Sequence, residues 1–210
     1  MNVVTARLEE FSEMEFDVLK EISNIGAGNA TTAISTMLGI KVDMKVPVIK
    51  FLEFKELAES IGGAENIVTG ILFGLEMDID GMMMFVMDCK SAQKMVASIL
   101  HVEEAEGAEF SEMGVSVLQE LGNIIAGSYL SAISSLTNLS IAPTVPYLSV
   151  DMAGAILSVP AIEYGKVSDK ALLIRSEFGE EGSNVDGYFI LVPTLEAFEK
   201  IFSSLGLSNY

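Results

Sequence analysis

Apolar residues recur at Met14, Val18, Ile22 and Ile25. That is helical spacing, and it predicts a long helix over residues 10–38 with Val18, Ile22 and Ile25 toward the core. Gly39 supplies a C-terminal stop. Gly26 and Gly28 lie inside the pattern and cost the helix about 1 kcal/mol each relative to alanine. Residues 40–46 alternate apolar and polar as a strand does, Pro47 marks an edge or a bend, and 48–54 continue extended. A short helix or loop over 56–64 is broken by Gly62-Gly63. Residues 66–76 and 80–87 form a hairpin around Asp78-Ile79-Asp80-Gly81. An amphipathic helix covers 91–100, and the acidic stretch 102–108 reads as a linker.

The second half repeats the plan. A long helix is predicted over 110–136 and strands over 139–145, 146–159, 171–178 and 184–192. Residues 179–183 replace the tighter first turn, and a helix over 195–205 closes the chain. The repetition shows residue by residue. At an offset of 99, Glu21–Pro47 lies over Glu120–Pro146 without a gap, and ten of the 27 positions are identical. Further on the offset becomes 106, setting Asp80-Gly81 over Asp186-Gly187 and Lys94 over Lys200. Two copies suit a single pseudo-symmetric domain, residues 1–210, with repeats of about 10–104 and 108–206 packed about a two-fold axis.

Both long helices carry [Asp/Ser]-x3-Glu-x2-Asn, followed after 22 residues by proline. Asp17, Glu21 and Asn24 form one helical stripe, and so do Ser116, Glu120 and Asn123. Gly28 and Gly127 extend each stripe by a turn and remove side-chain bulk where a partner could come close. A lone polar stripe is ordinarily a solvated face. Here Lys20 became Gln119, Ser23 became Gly122 and Asn29 became Ser128, while both Glu–Asn pairs stayed. Asparagine is a poor helix former, so keeping it twice mid-helix has a local cost.

The stripe holds no Ser–His pair and no cysteine, which excludes a nucleophilic triad there. Glu plus Asn offers too few ligands for a dedicated Mg²⁺ or Ca²⁺ site. Asp78 and Asp80 read as turn residues rather than as a calcium loop. A carboxamide both donates and accepts, so it can hold a water in line for attack on a phosphoryl group, a reaction in which positioning does most of the catalysis. The Glu can hold a partner's lysine by a charge-assisted hydrogen bond.

Composition narrows the partners. The formal net charge of −18 opposes nucleic-acid phosphates and anionic membrane surfaces. No apolar run is long enough to span a bilayer and the first ten residues lack a signal region, so neither membrane insertion nor secretion is expected. Cys89 stands alone, which suits a reducing cytoplasm. His101, the single histidine, falls at a helix end in acidic company and reads as solvated.

The doubled [Asp/Ser]-x3-Glu-x2-Asn-x22-Pro motif resembles the CheC family of chemotaxis phosphatases, and the resemblance covers essentially the whole chain. Residues 21–33 are similar to the family's first motif and 120–127 to its second. The resemblance implies an α/β fold, a CheC-like single domain with internal pseudo-two-fold symmetry, its two long motif helices packed with β-sheet. It implies hydrolysis of the aspartyl phosphate of the response regulator CheY. Asn24 and Asn123 would orient the water, and Glu21 and Glu120 would engage the regulator's lysine. Mg²⁺ would belong to the regulator, with no cofactor in this chain. Asp17, Gly28, Ser116 and Gly127 would line the docking stripes. The deamidase CheD would be a second partner, and residues 150–156, Asp151 among them, resemble the part of the family that meets it. Two intact motifs set the chain apart from one-motif CheX dimers and suggest a monomer. With the sequence ending at Tyr210, a switch domain like that of FliY is not expected. The alternative is a regulatory module that sequesters phosphorylated CheY or CheD and hydrolyses little; the retained asparagines favour catalysis.

Overall fold

A computed structural model describes residues 12–39, 42–102, 109–164, 170–180 and 183–207. The first eleven residues, most of the acidic linker and the tip of the second hairpin lie outside them. In chain order the elements are α1 (Glu13–Leu38), β1 (Asp43–Glu53), α2 (Phe54–Ser60), β2 (Ile67–Met77), β3 (Gly81–Asp88), α3 (Cys89–Leu100), α4 (Glu112–Thr137), β4 (Ile141–Pro143), β5 (Tyr147–Met152), α5 (Ala153–Tyr164), β6 (Lys170–Glu180), β7 (Ser183–Pro193) and α6 (Leu195–Ser204). The strands form one antiparallel sheet in the order β1-β6-β7-β3-β2-β4, with β5 also on β2.

The repeat is written into the helix ends. Ser12 and Ser111 cap α1 and α4, each hydroxyl accepting an N–H three residues on, from Glu15 and Gly114. Gly39 and Asn138 close the same helices in the left-handed conformation, the usual geometry of a helix C-terminus. All these positions differ by 99. At the offset of 106, Asp88 and Thr194 cap α3 and α6 in the same way. The two halves meet in the β3–β7 ladder, where Gly81 pairs with Pro193 and Met87 with Gly187. The same offset exchanges these two pairs, and the pair Met84–Ile190 maps onto itself. The pseudo-two-fold axis passes through that pair.

Strand side chains alternate between two faces, and each face has its own core. Ile71, Phe73, Phe85, Ile174 and Phe189 pack under α1, α4, α3 and α6. Val68, Leu72, Met84, Val86, Leu173 and Ile190 pack under α2 and α5. The long helices cross where Gly26 meets Tyr129. A Cβ on Gly26 would stand 2.8 Å from the Tyr129 ring and 3.1 Å from its Cα, so this glycine is the condition of the close crossing. The Tyr129 ring stacks on Phe189 with centroids 4.2 Å apart.

Both motif prolines sit at bulges in the outer strands. On β1 the ladder steps from Lys45–Glu177 to Val48–Arg175, three residues against two. Beside β2 it steps from Pro143–Leu75 to Tyr147–Leu72, four residues against three. An extra residue there needs no ladder N–H, and proline has none to give. β1 runs on through Pro47, whereas its counterpart divides into β4 and β5 around Pro146.

Three expectations need correction. Residues 153–159, expected as the end of a strand, belong to α5, which runs to Tyr164. This helix is apolar on every side and holds Pro160, so it has no helical periodicity to detect. Its first residue is nonetheless the repeat partner of Phe54, where α2 begins. Met14, counted in the apolar periodicity of the helix, is 63% exposed. Ser23, taken as a drifting surface position, is wholly buried and donates to the Leu19 carbonyl at 2.7 Å.

Candidate functional site

Each motif lies on the middle of a 26-residue helix whose inner side is fixed by the core. Leu19, Ile22, Ala27, Ala30 and Ile34 anchor α1, and Leu118, Leu121, Ile125 and Ala126 anchor α4. With those residues turned inward, helical geometry turns the stripe outward. Asp17, Glu21, Asn24 and Gly28 are exposed. On α4, Ser116 and Glu120 are exposed, and Asn123 and Gly127 are half-buried. The second site is therefore the more recessed of the two.

No described residue holds the four central side chains. Among the described residues, Glu21, Asn24, Glu120 and Asn123 have no hydrogen-bond or ion-pair partner. Their carboxylates and carboxamides are available to an incoming molecule. Ser116 differs, since its hydroxyl donates to the Glu112 carbonyl of its own helix at 3.0 Å. With Asp17 at the equivalent place, this position offers no chemistry shared by the two helices. A Cβ added at Gly28 or Gly127 would meet nothing within 4 Å. Neither glycine is needed for packing inside the chain, in contrast to Gly26. Both leave bare helix backbone facing solvent.

The two stripes share one side of the sheet, because α1 and α4 both pack on the core that lies there. Asp151 is not brought to them. It lies on β5 opposite Val68, a residue of the other core, so its side chain belongs to the α2–α5 face. There it is exposed and its carboxylate accepts the Met152 N–H at 2.7 Å. Asp78 and Asp80 sit in the β2–β3 turn. The Asp78 carboxylate accepts the Ser140 N–H at 2.7 Å and its carbonyl accepts from Lys200 Nζ at 3.1 Å. These are the bonds of a turn tied to the next half. Among the described residues no group of three His, Cys, Asp or Glu could hold a metal ion.

Among the described residues no helix is long and apolar enough to cross a membrane. His101 is the exposed, left-handed C-cap of α3 and takes no part in either stripe.

Comparison with known proteins follows the same division of the chain. The model of the CheC-like family matches residues 14–51 and again 113–150, two segments 99 apart. The CheY-P phosphatase CheC of Bacillus subtilis is 36% identical over 200 residues, which is 93% of this chain and 96% of that protein. Among solved structures, Thermotoga maritima FliY superposes with a TM-score of 0.74 at 20% identity, covering 95% of this chain and 99% of that one. CheX from Borrelia burgdorferi, solved in a CheX-CheY-BeF3-Mg complex, superposes with a TM-score of 0.51 at 18% identity over 81% of this chain and 97% of that one.

Proposed function

The chain belongs to the CheC-like family, and on that footing we propose that it is a phosphatase acting on the aspartyl phosphate of a CheY-type response regulator. The observation that carries this reading is the duplicated outward stripe of unpartnered Glu and Asn on two helices fixed by the core. Its support is the phosphatase relative that matches nearly the whole chain.

Either stripe docks over the regulator's phosphorylated aspartate. The Asn24 or Asn123 carboxamide accepts from a water and donates to it or to a phosphoryl oxygen, aligning the water with phosphorus. The water oxygen bonds to phosphorus as the bond from phosphorus to the aspartyl oxygen breaks. The carboxylate is restored, and inorganic phosphate leaves with both of the water's protons. Glu21 or Glu120 accepts a charge-assisted hydrogen bond from the regulator's lysine and fixes the register. The divalent cation of such a reaction is held by the regulator, where it offsets phosphoryl charge. This chain supplies position rather than a metal. Asp17, Ser116, Gly28 and Gly127 line the approach. The α2–α5 face with Asp151 is the docking surface for a CheD-type deamidase. The protein works as a cytoplasmic monomer.

The test follows the decay of phosphorylated CheY-type regulator alone, with the protein, and with Asn24→Ala, Asn123→Ala and both together. Each single variant should keep part of the acceleration and the double variant almost none. A double variant as active as the parent overturns the mechanism. Binding without acceleration by any form, with a CheD-type partner present as well, identifies a sequestering module instead.

A further inference from the structure

The repeat extends further toward the N-terminus than the motif. Phe11-Ser12-Glu13-Met14 recurs letter for letter as Phe110-Ser111-Glu112-Met113. Two of the four have a folding reason in both copies, and the phenylalanine has one in the second copy. The serines cap the helices, and the glutamates place negative charge at the helix N-terminus. Phe110 packs against the core. The methionines have no such reason. Both are 63% exposed, and neither packs against the core, although Val18, Ile25, Val117 and Ile124 on the same helices do.

Single exposed apolar residues are ordinary. Two identical ones, at equivalent places and with equal exposure, are less so. Their direction adds to this. Met14 precedes Glu21 by seven residues, two helical turns, and Met113 precedes Glu120 by the same. Each methionine therefore continues a motif stripe past Asp17 or Ser116 toward the helix start. The repeat also keeps Met37 and Leu136 apolar at 39% exposure, but these lie at the far helix ends and off the stripe.

Resting on the phosphatase reading above, we infer that Met14 and Met113 are apolar docking anchors, one for each site, that seat the regulator while Glu and Asn act on it. Each stripe is then an ordered footprint. It has a methionine at one end, the carboxylate and carboxamide in the middle and a bare glycine at the other end. The methionine is about 15 Å along the helix from the asparagine, at 1.5 Å per residue. Its counterpart is an apolar patch on the regulator at that distance from the phosphoaspartate. Methionine suits the task, being unbranched, polarizable and enriched in interface cores. The anchor acts on affinity and register and leaves the chemical step to the asparagine.

The experiment measures steady-state dephosphorylation, and binding of the beryllofluoride form of the regulator, for Met14→Gln, Met113→Gln and the double variant. Glutamine keeps length and helix propensity, so the thermal midpoint reports whether the fold is intact. Removing an interface anchor of this size should raise KM and Kd of the double variant about three- to tenfold, with kcat little changed. Met14→Leu with Met113→Leu should restore most of the loss. An active parent whose double glutamine variant keeps its KM and Kd overturns this inference and leaves the phosphatase reading standing. A parent that neither binds nor dephosphorylates the regulator overturns both.

Discussion

Met84 and Ile190 face each other across the β3–β7 ladder, both fully buried, and the pseudo-two-fold axis runs between them. Each half supplies one member of the pair and the central strand beside it, so neither half closes its own core. Ile190→Ala should cost about 2–5 kcal/mol. Calorimetry should show one unfolding transition for parent and variant alike, at a lower temperature for the variant. Two separated transitions would mean that the halves fold independently.

Gly26 and Gly28 are two residues apart and should respond to alanine with opposite signs. At Gly26 the new methyl strikes the Tyr129 ring and backbone, and stability should fall. At Gly28 it meets nothing, and helix propensity should raise stability by up to about 1 kcal/mol. The larger Gly28→Leu with Gly127→Leu should fold as well as the parent yet raise KM for the phosphorylated regulator, because the backbone surface is now covered. Thermal melts beside kinetics separate the two effects.

Glu21→Gln with Glu120→Gln tests the charge assigned to the anchoring residue. The variant keeps a hydrogen-bonding group of the same shape but loses the ion pair with the regulator. Its affinity should be lower at low salt, and the loss should shrink as salt screens the parent's attraction. An affinity difference independent of ionic strength would remove the ion pair from the account.

Tyr129 gives the stability an alkaline limit. Burial pushes its phenol above the ordinary value, opposed in part by the hydrogen bond to Ser176. Tyr188 is raised as well, chiefly by burial. The unfolded chain therefore ionises first, at about pH 10. The stability contributed by the neutral phenols is complete below that pH and falls as pH rises toward the folded-state values. Tyr129→Phe should flatten the decline in thermal midpoint between pH 9 and 11 while changing stability at neutral pH by about 1 kcal/mol.

Most of the architecture was legible because duplication marks it twice. The two long helices, the hairpin of residues 66–76 and 80–87 and both stripes came from periodicity and the two offsets. What escaped had no periodicity or had too much of it. α5 is apolar all round, so its pattern fits a strand as readily as a helix; only the pairing of Ala153 with Phe54 could have revealed it. Met14 fell in with Val18 and Ile22 because hydropathy records what a residue prefers, not whether the core extends far enough to cover it. Ser23 looked exposed beside Asn24, yet its hydroxyl is satisfied by its own helix and so can be buried. The Glu–Asn pairs were legible as retained residues. That no other described residue holds them in place follows only from packing.

The two bulged prolines bear on how such a chain remains dispersed. An antiparallel sheet ends in two strands with free backbone groups, which can recruit the edge of another molecule. Half of this chain's residues are apolar, so such pairing would grow readily into aggregates. On one side the ladder of β1 is bulged at Pro47, and on the other the edge is broken between β4 and β5 at Pro146. At each place a slip of one residue distorts the edge and one N–H is missing, so a second sheet finds no continuous ladder to join. The last residue of the repeated motif thus guards the borders of the sheet, while the residues before it face the partner.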